Sequence, residues 1–129
     1  MKIEHLAIWT KDLETMKQFY EKFFDCTSTK RYHNPKKEFS SYFLSFANGA
    51  RLELMHKPDI ANQLKHWETE GLGFAHIAIS VGSKEMVDQL TEQIRTAGFP
   101  VIGETRWTGD GYYESVILDP ENNRIEITI

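Results

Sequence analysis

The chain has 129 residues, 15 Lys and Arg against 19 Asp and Glu for a formal net charge of −4, and 40% hydrophobic, 26% charged and 12% aromatic residues. That size suits one compact domain of about 100–150 residues, and the mixed composition excludes disorder and collagen-like character, while the single cysteine, Cys26, excludes an internal disulfide or a thiolate zinc cluster. No basic block is long enough to grip nucleic acid, no apolar run approaches the about 20 residues of a membrane span, and the N-terminus lacks a signal peptide's apolar centre. A cytoplasmic protein that binds neither nucleic acid nor membrane is expected.

The first strand is expected over residues 3–9, where Ile3, His5, Ala7 and Trp9 share one face and Glu4, Leu6 and Ile8 the other. Asp12 is placed to cap a helix whose Leu13, Met16, Phe19, Tyr20, Phe23 and Phe24 recur at three- and four-residue spacing. Cys26, at the end of that helix, reads as a small buried residue with nothing nearby to activate its thiol. A hairpin follows: residues 41–46 turn at Asn48-Gly49 into 50–55, with Leu52 and Leu54 opposing Arg51, Glu53 and Met55. The connection, about 58–73, contains Pro58, a short helical stretch around 60–68 and the breaker Gly71-Leu72-Gly73. His56, Lys57 and His66 lie beside it and read as solvated loop residues, with binding of an anionic substrate tail as the alternative.

From Phe74 the pattern begins again. His76 shares a strand face with Phe74, Ala78 and Ser80, Ser83 is the next N-cap, and Met86, Val87, Leu90, Ile94 and Ala97 form the apolar stripe of a helix ending at Gly98. Residues 112–118 turn through Asp119-Pro120-Glu121-Asn122-Asn123 into a terminal strand, in which Ile125, Ile127 and Ile129 oppose Arg124, Glu126 and Thr128. His5 and His76 are 71 positions apart (76 − 5), Asp12 and Ser83 equally so (83 − 12), and Glu53 and Glu126 are 73 apart (126 − 53). The chain is therefore a duplicated β-α-β-β-β unit, with repeats at about 1–57 and 74–129.

In each repeat the aliphatic face of the sheet is what the amphipathic helix must cover. The opposite face then carries one His and one Glu per repeat beside small residues. Carboxylates lining a concave, partly apolar cavity are costly unless paired or bound to a cation. Convergence of His5, Glu53, His76 and Glu126 on one divalent ion would satisfy all four. Two imidazoles and two carboxylates form an N₂O₂ set that is net neutral around a 2+ ion, suits Ni²⁺, Zn²⁺, Co²⁺, Mn²⁺ or Fe²⁺ and leaves coordination positions for substrate. Trp9, Met55, Lys57, Trp67, Trp107 and Tyr113 are candidates to line the substrate pocket, although aromatic residues in a small protein are more often core or dimer contacts.

The early His5, Glu53 after the hairpin, the HIAIS strand at His76 and the closing LDPENNRIEI resemble the vicinal oxygen chelate superfamily of glyoxalase, bleomycin-resistance and dioxygenase proteins, over nearly the whole chain. Asn122 stands where glycine is common in the closing turn. The resemblance implies an α+β fold of two βαβββ modules making an open, eight-stranded barrel-like sheet with helices outside. It also implies the four ligands named above, one divalent metal per site, and frequently a homodimer. A substrate with adjacent oxygens would be chelated and isomerised through an enediolate, with Glu126, or else Glu53, moving the proton, as in lactoylglutathione lyase. Bacterial glyoxalases commonly grip glutathione with an Arg and an Asn four residues after the first His and Glu. Trp9 and Lys57 stand there, so a small α-oxygenated substrate that need not be a glutathione adduct is expected. An acyl-thioester epimerase, an extradiol-type dioxygenase and a non-catalytic ligand-sequestering protein are the alternatives.

Overall fold

The structure is a computed structural model that describes residues 1–61 and 67–129, so His66 and most of the expected short helix around 60–68 lie outside the described residues. Two compact units divide at Gln63 and Leu64. The first contains β1 (His5–Trp9), α1 (Leu13–Phe23), β2 (Thr27–Ser28), β3 (Tyr32–Asn34), β4 (Phe39–Ser45) and β5 (Arg51–His56). In the second are β6 (Ile77–Ser80), α2 (Lys84–Thr96), β7 (Val101–Trp107), β8 (Tyr113–Leu118) and β9 (Arg124–Thr128). Among the described residues no helix is long and apolar enough to cross a membrane.

Each unit carries its own sheet, ordered β1-β5-β4-β2 with β3 also on β4, and β6-β9-β8-β7. In both, the first strand pairs in parallel with the last, and the other pairings are antiparallel. The second unit follows the expected β-α-β-β-β order. The first contains one strand more than expected, because the segment before β4 is broken in two. Its register slips by one residue between Ser28↔Leu44 and Tyr32↔Ser41. The extra residue is accommodated as a bulge around Thr29, whose N–H still donates to Phe43 O at 2.9 Å. The eight strands expected from the repeat thus become nine among the described residues.

The helices begin where their caps put them. Asp12 accepts from the Thr15 N–H at 3.0 Å and Ser83 from the Met86 N–H at 3.2 Å. Helix α1 buries all six residues of its expected stripe, Leu13, Met16, Phe19, Tyr20, Phe23 and Phe24, and packs across β4 and β5, where Leu44, Leu52 and Leu54 are buried. Helix α2 differs from expectation. Val87, Leu90 and Ile94 are buried, but Met86 and Ala97 face solvent and Thr91 takes a core position. Thr91 Oγ1 donates to Val87 O and lies 2.6 Å from Ser115 Oγ on β8, which satisfies both buried hydroxyls. In the closing turn Asn122 adopts φ 63°, the left-handed conformation that Asn tolerates better than most residues. Buried Asp119 braces this turn by accepting from the N–H groups of Glu121 and Asn123, each at 2.9 Å.

Candidate functional site

Register decides which side chains meet. In the first unit Ala7 stands opposite Glu53 across the parallel β1–β5 pair, and in the second Ala78 stands opposite Glu126 across β6–β9. Each histidine lies two residues before its alanine, so both His–Glu pairs are built by the same parallel register. Each pair sits on the face turned away from the helix, because Leu52, Leu54, Ile125 and Ile127 occupy the other face. His5 Nε2 lies 3.8 Å from Glu53 Oε2, and His76 Nε2 lies 3.2 Å from Glu126 Oε2. The glutamates are the sheltered members, with side chains 13% and 22% exposed against 40% for each histidine.

These separations fit a shared cation. Two donors each about 2.1 Å from a first-row ion lie about 3.0 Å apart at a right angle and about 3.4 Å apart at the tetrahedral angle. The His76–Glu126 pair falls in that range and the His5–Glu53 pair needs to close by a few tenths of an ångström. Among the described residues no three His, Cys, Asp or Glu side chains are gathered to hold an ion. What each unit provides is a pair.

His5 is held from its other side as well. Its Nδ1 lies 2.5 Å from Glu4 Oε2, and Glu4 also accepts from Arg51 Nε at 2.9 Å and from Arg51 Nη2. The hydrogen bond from His5, then those from Arg51, hold the exposed Glu4 carboxyl below its ordinary range. With Nδ1 beside the Glu4 carboxylate, Nε2 is the nitrogen turned toward Glu53, and a carboxylate at the other ring nitrogen is the arrangement that orients metal-binding histidines. Phe43 packs its edge against His5 at 5.3 Å between ring centroids and carries the Arg51 guanidinium 4.2 Å above its own ring. Arg51 and Phe43 escaped the reading of the sequence, since only the β1–β5–β4 pairing brings them to His5; Glu4 is its chain neighbour, placed by the expected strand alternation on the other face.

The expected pocket residues divide between the two faces. Trp9 and Met55 share the face of His5 and Glu53. Trp9 is 44% exposed, meets Phe39 edge-on and lies under the Lys57 ammonium at 5.8 Å, so the two residues standing at the glutathione-gripping positions contact each other. Tyr113 and Trp107 are paired across β7–β8 and lie on the helix side of their sheet. The Tyr113 hydroxyl donates to Asp88 of α2 at 2.7 Å, Lys84 sits over its ring at 4.5 Å, and its ring meets Trp107 at 5.2 Å. Trp67 is half-buried, and its carbonyl accepts from Arg124 Nη2. His56 Nδ1 bonds the Thr10 carbonyl at 2.9 Å, a structural role.

Residues 2–127 match the model of the glyoxalase/bleomycin resistance protein/dioxygenase superfamily. The uncharacterized protein YqjT of Bacillus subtilis (strain 168) is 24% identical over 128 residues, 97% of this chain and 96% of that one. A glyoxylase/bleomycin resistance protein/dioxygenase domain from Frankia sp. EAN1pec superposes with a TM-score of 0.83 at 19% identity, covering 100% of this chain and 97% of that one. Glyoxalase I of Zea mays, as its V278E mutant, gives 0.80 at 21% identity over 98% of this chain, which spans 44% of the maize chain. The trypanothione-dependent glyoxalase I of Leishmania major gives 0.77 at 21% identity, covering 98% of this chain and 85% of that one. At these identities the structural likenesses establish the fold alone.

Proposed function

We propose that this chain, which belongs to the glyoxalase/bleomycin resistance protein/dioxygenase superfamily, is a divalent-metal-dependent lyase or isomerase of the glyoxalase type, acting on a small substrate with adjacent oxygens. The observation that carries the reading is the repetition of one His–Glu pair in both units, by the same parallel register and on the helix-free face. A structural duplication needs to preserve its core and its caps. It has no packing reason to preserve a half-exposed His beside a sheltered Glu.

His5, Glu53, His76 and Glu126 are the residues that would hold the ion. When bound, a divalent ion supplies Lewis-acid charge opposite the oxygens of a chelated substrate. Glu126 is the proposed base, with Glu53 as the second choice: its carboxylate takes the proton from the hydroxyl-bearing carbon and returns it to the neighbouring carbonyl carbon, while the hydroxyl proton passes to the former carbonyl oxygen. One carbon is oxidised and its neighbour reduced, so no external oxidant is needed. Glu4, itself held by Arg51, orients His5. We place the protein in the cytoplasm as a homodimer of single-domain chains, in keeping with the family resemblance.

The test is elemental analysis of gently purified protein beside a His5→Ala, Glu126→Ala double variant. About one transition-metal ion per site, absent from the variant, is the expected result. Loaded protein should then exchange a substrate proton with deuterated solvent. Absence of metal and of metal uptake in the wild type would overturn the reading and leave a ligand-binding module. Failure to turn over the methylglyoxal–glutathione hemithioacetal would remove only the narrower lactoylglutathione lyase activity.

A further inference from the structure

The two repeats agree at the His–Glu pair and disagree immediately beside it. In the first unit the strand residues flanking Glu53 on the helix-free face are Phe43, directly opposite it, then Met55 and, across from Met55, Ser41, which in turn faces Tyr32. In the second unit the corresponding positions are Val116 opposite Glu126, then Thr128, then Glu114, then Arg106. A wall that is aromatic and apolar in one repeat is thus ionic in the other. The β1–β5–β4 and β6–β9–β8 pairings are equivalent, so the divergence at Phe43/Val116, Met55/Thr128 and Ser41/Glu114 is not demanded by the fold.

Glu114 is a costly residue to keep there: it is 8% exposed, and its only polar partner among the described residues is Arg106 Nη2 at 3.3 Å. The Arg106 side chain is 56% exposed, so the carboxylate is fixed in the sheet while the guanidinium stands outward. Its Nη2 approaches Glu114 at 3.3 Å, the long end of hydrogen-bond range, and the guanidinium is accessible to a carboxylate from solution. Glu114 is the diagonal cross-strand neighbour of Glu126, about 7–8 Å away and within reach of long side chains.

We infer that Arg106, positioned by Glu114, binds a carboxylate group of the substrate a few bonds from the pair of oxygens that faces His76 and Glu126. Resting on the proposed function, this narrows the substrate to an α-hydroxycarbonyl compound with a distal carboxylate, for which 2-hydroxy acids are non-reacting binding probes. Glu114 is a positioning residue; Arg106 contacts the ligand.

The experiment compares two probes by titration calorimetry: lactate, with vicinal oxygens only, and malate, which adds a distal carboxylate. In metal-loaded wild type, malate should bind at least tenfold more tightly than lactate. Arg106→Gln should abolish that preference while leaving lactate affinity and metal content unchanged, and Arg106→Lys should restore part of it. Because the single Gln variant strands a buried carboxylate, an Arg106→Gln, Glu114→Gln double variant accompanies it and should show the same loss. No preference in the wild type, or a preference that survives both Gln variants, overturns the inference. Wild type that takes up no metal yet still prefers malate through Arg106 defeats the metal reading and keeps the carboxylate anchor; wild type that takes up no metal and shows no preference defeats both.

Discussion

His5 is the residue in which the local and long-range determinants of the site meet, with Glu4 at its Nδ1 and Glu53 facing its Nε2. Since Glu4 fixes the ring, Glu4→Ala should weaken metal retention about tenfold, the low end for an orienting group because this one is exposed; competition with a chromophoric chelator measures it. Cys26 lies at the opposite extreme of reactivity. Burial, reinforced by Glu21 and Asp25, pushes its thiol from 9.0 up to about 11. Above pH 9 the unfolded chain therefore loses a thiol proton that the folded chain keeps, so this group takes stability away as pH rises toward 11. Native protein at pH 8 should react with a disulfide reagent only as fast as it opens, and denaturant should release one rapid thiol per chain. A fast native reaction would contradict the burial.

At the scale of elements, the two helix caps are equivalent in place but differ in chemistry. Ser83→Ala removes the acceptor of the Met86 N–H and should lower stability by about 1 kcal/mol, read as a fall in urea midpoint at unchanged slope. Asp12 is ionised, and the Thr15 backbone N–H, followed by the Thr15 hydroxyl, holds its carboxyl below the ordinary 3.8. Its contribution is present above pH 3.8 and fades as pH falls through the lowered folded value, a slope that Asp12→Asn should flatten in midpoints measured below pH 4. The β7–β8 pair depends on Gly103. A Cβ there would meet Val116 Cγ2 at 3.0 Å and Cβ at 3.1 Å, beside the irregular register of β7. Gly103→Ala should cost about 1–3 kcal/mol in thermal unfolding, and Val116→Ala in the same chain should recover part of it.

For the whole molecule, the proposed function links metal binding to stability. An ion that binds the folded chain at one hundred times its Kd adds about 2.7 kcal/mol, so chelation should lower the midpoint of thermal unfolding in wild type and not in the His5→Ala, Glu126→Ala variant. Much of the organisation was legible before any coordinates: the duplication, both helices with their caps, and the alternation of the strands that carry His5, Glu53, His76 and Glu126 follow from local periodicity and residue chemistry, whereas β7 was not marked out as a strand. The less legible features are instructive. The bulge that splits β2 from β3 is a mismatch of two strand lengths, invisible in either strand alone. Thr91 was passed over for the core because a hydroxyl is buried only with a partner, and that partner, Ser115, is supplied by another element.

The same distinction governs the site. Side-chain periods of 2.0 and 3.6 are local properties, so the sequence by itself determined which residues share a face and which helix stripe covers it. The particular neighbours depend on cross-strand register, an outcome of long-range pairing that no single segment encodes. Tertiary structure therefore decided that Glu53 meets His5 and Glu126 meets His76, that Glu4 and Arg51 brace one histidine, and that Tyr113 turns to α2. It also decided that Glu114 is sheltered beside Glu126 with Arg106 as its partner, because burial and ionic pairing exist only once three strands lie side by side.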